Sequence, residues 1–112
     1  MDMQVSTVGG VKKIALSGRL DTAGVSRLET QFSASVAAGG QSAVVDLTDV
    51  AFLASLGVRM FISTARTVTR KGGKLALYGA NAAVMEIIET TSLNDIIPVA
   101  PSEAEALALV AV

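Results

Sequence analysis

Two rhythms of apolar residues alternate along the chain. "MQVSTVGGVKKIALSG" holds two short strand-like segments, with Val5, Ile14 and Leu16 as the apolar positions. Between them Gly9-Gly10 supplies the backbone freedom of a tight hairpin turn. In "DTAGVSRLETQFSASVAAGG", Val25, Leu28, Phe32 and Val36 recur at helical spacing, while Arg27, Glu29 and Gln31 fall elsewhere. Asp21 or Thr22 can cap this helix, and Gly39-Gly40 can end it. "SAVVDL" is a continuous apolar run, expected of a strand covered on both faces. A loop, "TDVAFLA", then leads into a helix over 55–71. Its core stripe would be Val58, Ile62, Ala65 and Val68, and Gly72-Gly73 its stop.

The second half repeats the alternation. "KLALYG" reads as a strand with Leu75 and Leu77 on one face. "NAAVMEIIETTSL" reads as a helix capped by Asn81, with Val84, Ile87 and Ile88 as its apolar side. "DIIPVA" is a last short strand, and Pro98 favours an edge. "SEAEALALV" opens with Ser102 and has Glu105 three positions on, a capping box at the start of a final helix. The order is β-β-α-β-α-β-α-β-α. Helices alternating with apolar strands imply parallel crossovers, so the class is α/β. The expected architecture is a single domain over residues 1–112, a mixed sheet of about four to five strands with four helices.

Composition narrows the chemistry. The 112 residues are 51% apolar, which allows a substantial core, and the formal net charge is −1. No basic excess is available for phosphate-backbone contacts, so nucleic acid is not an expected partner. Cysteine and histidine are both absent, which removes disulfides, thiolate nucleophiles, imidazole bases and ordinary zinc sites. Met1 to Gly10 has no basic-then-apolar leader. No run approaches the ~18 apolar residues of a membrane span. The expectation is a soluble, cytoplasmic protein with no membrane partner, no metal and no cofactor.

Enzyme motifs fail. There is no phosphate-binding loop of the Walker type and no Gly-x-Gly-x-x-Gly opening a helix. Asp46 and Asp49 flank a strand end, where α/β folds often bind ligands. Asp46 can equally cap a turn, and an acid pair alone specifies no reaction. A binding protein is favoured over an enzyme.

Ser55, between Ala54 and Leu56 at the start of the 55–71 helix, is the hydroxyl that stands out. It can be a plain N-cap, worth about 1 kcal/mol. It can also be a modification site, because a helix N-terminus tolerates a phosphate. Arg59, Ser63, Arg66 and Arg70 come after it at steps of four, three and four, on one face headed by Ser55. That face is either a solvated surface or a partner-binding one bordered by Leu56 and Met60.

These residues also carry a resemblance. "VVDLTDVAFLASLGVRMFI" resembles the central signature of the STAS domain, the fold of bacterial anti-sigma factor antagonists. "LSGRLDTAGVSRLE" resembles the family's other marker, a strand ending in Gly-x-Leu-Asp before the first helix. "GGKLALYGANAAVMEIIETTSLNDIIPVAPSEAEAL" resembles its third stretch, so nearly the whole chain is covered. The resemblance implies that Ser55 is phosphorylated by a serine-kinase anti-sigma factor of the histidine-kinase-like ATPase type. The unphosphorylated form would bind that kinase and free a sigma factor, and a serine phosphatase would reset the switch. It implies that Asp21 sits near the serine, repelling phosphate or orienting the hydroxyl. Asp21, Thr22, Ala54, Leu56, Gly57, Arg59, Met60, Ser63 and Arg66 are then the expected partner-facing or site-adjacent residues. Where the best-known antagonists carry Asp-Ser-Ser-Gly, this chain has Ala54-Ser55-Leu56-Gly57. STAS domains also occur in stress-sensing and transport assemblies, so a constitutive scaffold without phosphorylation is the alternative.

Overall fold

A computed structural model describes residues 2–37 and 41–111. Gly9 and Gly10, both at positive φ, make the two-residue turn joining β1 (Asp2–Val8) to β2 (Val11–Leu20) as an antiparallel hairpin. After it come α1 (Thr22–Ala37), β3 (Ala43–Leu53), α2 (Ser55–Arg70), β4 (Leu75–Tyr78), α3 (Ala82–Thr90), β5 (Val99–Ala100) and α4 (Glu103–Val110). The element order is the one expected. The Gly39-Gly40 helix stop lies outside the described residues.

The strands pair in sequence order, β1-β2-β3-β4-β5, and every pair after the first is parallel. The three crossovers therefore step in one direction across the sheet. A constant hand of crossover puts α1, α2 and α3 on one face. Their buried residues accordingly share one core with Ile14, Leu16, Val45, Leu47 and Leu77. Among the described helices α4 alone reaches the other face, where Ala106 and Val110 pack on Val44, Ala76 and Tyr78. β4 and the first half of β3 are thus covered on both sides, as their unbroken apolar runs predict. Val5, on the edge strand, is exposed instead.

Two segments depart from expectation. The stretch read as the loop 48–54 is mostly strand, since β3 continues to Leu53. Its pairing with β2 shifts register twice, between Ala15 and Ser17 and between Gly18 and Arg19. Nine residues of β2 run beside eleven of β3. At the first shift Asp46 Oδ1 accepts from the Thr48 amide (2.9 Å) and from the Thr48 hydroxyl (2.5 Å), the turn-capping role open to it from its sequence position. "DIIPVA" is strand only at Val99–Ala100. Leu93–Asp95 forms a short 3-10 turn, and the Pro98 carbonyl accepts from the Leu77 amide at 2.9 Å, placing Pro98 just ahead of the edge strand.

Helix α2 ends in a motif that its sequence announces. Gly72, at positive φ, donates to the Thr69 carbonyl, and Gly73 donates to that of Val68. Asn81 and Ser102 cap α3 and α4 by accepting from Val84 and Glu105 amides, at 2.9 and 3.3 Å.

Candidate partner-binding site

The carboxyl ends of β2 and β3 lie side by side, and each feeds directly into a helix. The Ala54 amide donates to the Leu20 carbonyl at 2.9 Å, tying the two exits together. Gly57 makes that proximity possible: a Cβ there would lie 2.7 Å from Leu53 Cδ1 and 3.2 Å from Leu20 Cβ. The first turn of α2 is therefore pressed onto the end of β2, next to Asp21. Gly57 is buried and structural in its local role.

Asp21, not Thr22, caps α1. Its Oδ1 accepts from the Gly24 amide at 2.9 Å, and its Oδ2 meets Arg19 Nε at 3.4 Å. The Gly24 hydrogen bond, more than the Arg19 guanidinium, holds its carboxyl below the ordinary carboxylate range. Both oxygens are thus engaged on the Asp21 side, and no Ser55–Asp21 hydrogen bond orients the serine. Thr22 is exposed beside it.

Ser55 is not the N-cap. That position belongs to Ala54, whose backbone is extended and whose methyl can accept nothing. Ser55 is the first helical residue, exposed, and its hydroxyl makes no hydrogen bond among the described residues. With no side chain serving the first-turn amides of α2, the turn keeps the unsatisfied donors of a bare helix start. A free hydroxyl on such a start is chemically open to an incoming group.

The face that Ser55 heads is built as its spacing predicts. Arg59, Ser63, Arg66 and Arg70 are all exposed, and Leu56 stands 36% exposed beside them. Met60 is a correction: at 1% exposure it points into the core with Phe61 and Thr64, so it borders nothing that a partner touches. Ile62, expected in the core stripe, is only half-buried. It lines a groove of about 460 Å³ with Glu29, Leu56, Arg59, Ser63 and Arg66. The buried stripe of α2 is centred on Val58, Phe61, Ala65 and Val68 instead.

Two neighbours were not singled out by sequence. Phe52 is 38% exposed at the end of β3, and the Arg19 guanidinium lies over its ring at 4.5 Å. Ile96, 54% exposed, borders a second groove of about 600 Å³ along the other flank of α2, shared with Ser63, Ala65, Arg66, Thr69 and Arg70. A register argument could have found Phe52, because it pairs with Arg19. Ile96 was hidden by its assignment to a strand.

The rest of the molecule offers little to rival this region. Among the described residues no group of three or more metal-ligating side chains gathers, and no helix is long and apolar enough to cross a membrane. On the opposite face Lys13 Nζ meets Glu103 at 3.2 Å, tying α4 to β2. Burial pushes the neighbouring Tyr78 phenol upward.

Fold and site together describe a small α/β domain whose second helix leaves its start and outer face exposed. The chain belongs to the STAS domain family, which it matches over residues 2–106. It is 28% identical over 108 residues to a Bordetella bronchiseptica protein with the provisional name anti-sigma factor antagonist BtrV, covering 96% of this chain and 93% of that protein. An anti-sigma factor antagonist from Mycobacterium paratuberculosis superposes with a TM-score of 0.87 at 27% identity, over 97% of this chain and 92% of that one. The Bacillus cell fate determinant SpoIIAA, solved in its phosphorylated form, superposes with a TM-score of 0.68 at 20% identity, over 96% and 98% of the two chains. At that identity it supports the fold alone.

Proposed function

We propose that this chain is an anti-sigma factor antagonist that docks an anti-sigma factor on the α2 face and releases it when Ser55 is phosphorylated. One observation carries the reading. The Ser55 hydroxyl is exposed and unbonded at the head of a helix whose outer face is free. A serine kept for capping would have its oxygen committed to an amide. The antagonist names of the relatives support the partner class, and the phosphorylated SpoIIAA is an instance of this fold carrying such a group. The partner in this reading is a serine kinase of the histidine-kinase-like ATPase type, and a serine phosphatase resets the switch.

Phosphate adds about 1.5 to 2 negative charges at Ser55. A loss of ~3 kcal/mol of binding weakens affinity by roughly a hundredfold, enough to change partners. The test is incubation with ATP and a purified anti-sigma kinase, read by intact mass and by pull-down. Wild type should gain one phosphate and lose the kinase; Ser55→Ala should gain none and keep it. A chain that holds the kinase yet never takes phosphate supports the constitutive scaffold instead.

A further inference from the structure

Among the described helices, α2 alone has a net positive charge. It carries Arg59, Arg66 and Arg70 and no carboxylate, whereas α3 holds Glu86 and Glu89, α4 holds Glu103 and Glu105, and α1 balances Arg27 with Glu29. The whole chain has ten carboxylates, one more than its cations. Even so, none of the three α2 arginines is ion-paired among the described residues, and the pairs Lys13–Glu103 and Arg19–Asp21 lie elsewhere. Arg70 donates only to the Thr67 hydroxyl, at 3.2 Å.

The residue type matters as much as the charge. All four lysines, Lys12, Lys13, Lys71 and Lys74, lie at the amino ends of strands or just past the end of α2, and none lies within that helix. Arginine presents a planar fork that grips carboxylates in pairs, and it is enriched at protein interfaces where lysine is depleted. Apolar contact is at hand on both flanks, from Leu56 in one groove and Ile96 in the other. Arg66 and Ser63 line both grooves and form the crest between them.

We infer that the α2 face receives an acidic amphipathic helix of the partner protein: an apolar stripe seats against Leu56 or Ile96, and flanking carboxylates meet Arg59, Arg66 and Arg70. This rests on the reading that α2 is the docking face, and it specifies the partner's chemistry there. It also gives the switch its sign. Phosphate on Ser55, one turn before Arg59, adds negative charge to a face that binds negative charge, so it opposes docking.

The test needs no kinase. The full chain, isotopically labelled, is titrated with a short helical peptide bearing leucine on one stripe and glutamate on both sides of it. A control peptide carries lysine in place of glutamate, and duplex DNA is a third probe. Amide shifts confined to α2 and the turn around Ile96 are expected with the acidic peptide alone. Affinity should fall at least about tenfold in Arg59→Glu/Arg66→Glu, and less in Arg66→Lys, which keeps the charge and loses the fork. It should also fall between about 0.1 M and about 1 M salt, as screening shortens from ~10 to ~3 Å. Equal binding of both peptides, shifts by DNA at the same residues, shifts elsewhere, or no shift with the acidic peptide would each overturn the inference. None of those results bears on whether Ser55 takes a phosphate, so the two ideas fail separately.

Discussion

Helices α1 and α2 start at adjacent strand ends, each separated from its strand by a single residue, yet their first turns are finished in opposite ways. The start of α1 is closed. Asp21 caps it, Arg19 pairs with the cap, and Gly24 lets the turn sit against the Arg19 carbonyl, where a Cβ would come within 2.1 Å. The start of α2 is open. Ala54 occupies the cap position without a polar atom, and Ser55 leaves its hydroxyl exposed. Both turns are held in place by a buried glycine, so the difference is not one of support. It lies in whether the chain satisfies its own helix end or leaves it to something else.

The largest effect should come from the closed side. Gly24→Ala drives a methyl into backbone, which cannot yield as a side chain can, and should cost about 3 kcal/mol in denaturant unfolding. If it costs nothing, the close approach of α1 to β2 is not a constraint.

Next is the carboxyl of Asp21. Its folded pKa lies below the unfolded value, so the folded state binds fewer protons near that range. Its contribution is complete above about pH 4, the unfolded value, and is lost as pH falls through the folded value. Asp21→Asn should flatten the wild-type loss of stability below that point. Two superimposable pH–stability curves would mean the cap is inert.

The open side should respond in the other direction. Ala54→Ser places an acceptor where α1 has one, and should stabilise the chain by about 1 kcal/mol. A loss instead would mean that the half-buried Ala54 site has no room for a hydroxyl. The smallest effect is expected at the residue of greatest interest. Ser55→Ala should change stability by less than about 0.5 kcal/mol, because no hydrogen bond goes with it. A cost near 1 kcal/mol would make Ser55 a cap after all.

Much of this was legible in the chain itself. The hairpin at Gly9-Gly10, the stop at Gly72-Gly73, the Asn81 and Ser102 caps and the element order are local chemistry, fixed by residues near one another in sequence. What escaped was set by tertiary contact. The bulges give Leu47, Val50 and Leu53 a burial period of three, which matches neither a strand nor a helix, so the segment reads as loop. Helical phase placed the arginine face correctly. It misplaced Met60 and Ile62 because the buried arc is centred on Val58, Phe61, Ala65 and Val68, which takes in Met60 and leaves Ile62 at its edge. The identity of the N-cap turned on a single residue of boundary, the least certain quantity in any helix read from sequence.

The two extra residues of β3 also bear on which insertions and deletions the lineage can absorb. One residue removed from a bulge, at Thr48 or Ala51, takes out the unpaired position and leaves every later residue opposite its β2 partner, so Leu53 stays in the core beside Leu20. Two removed together, one from each bulge, leave nine residues of β3 beside the nine of β2 that they pair with, a ladder without a bulge. Loss of a residue at either bulge should therefore be tolerated singly as well as in pairs, with the serine keeping its place beyond Leu53.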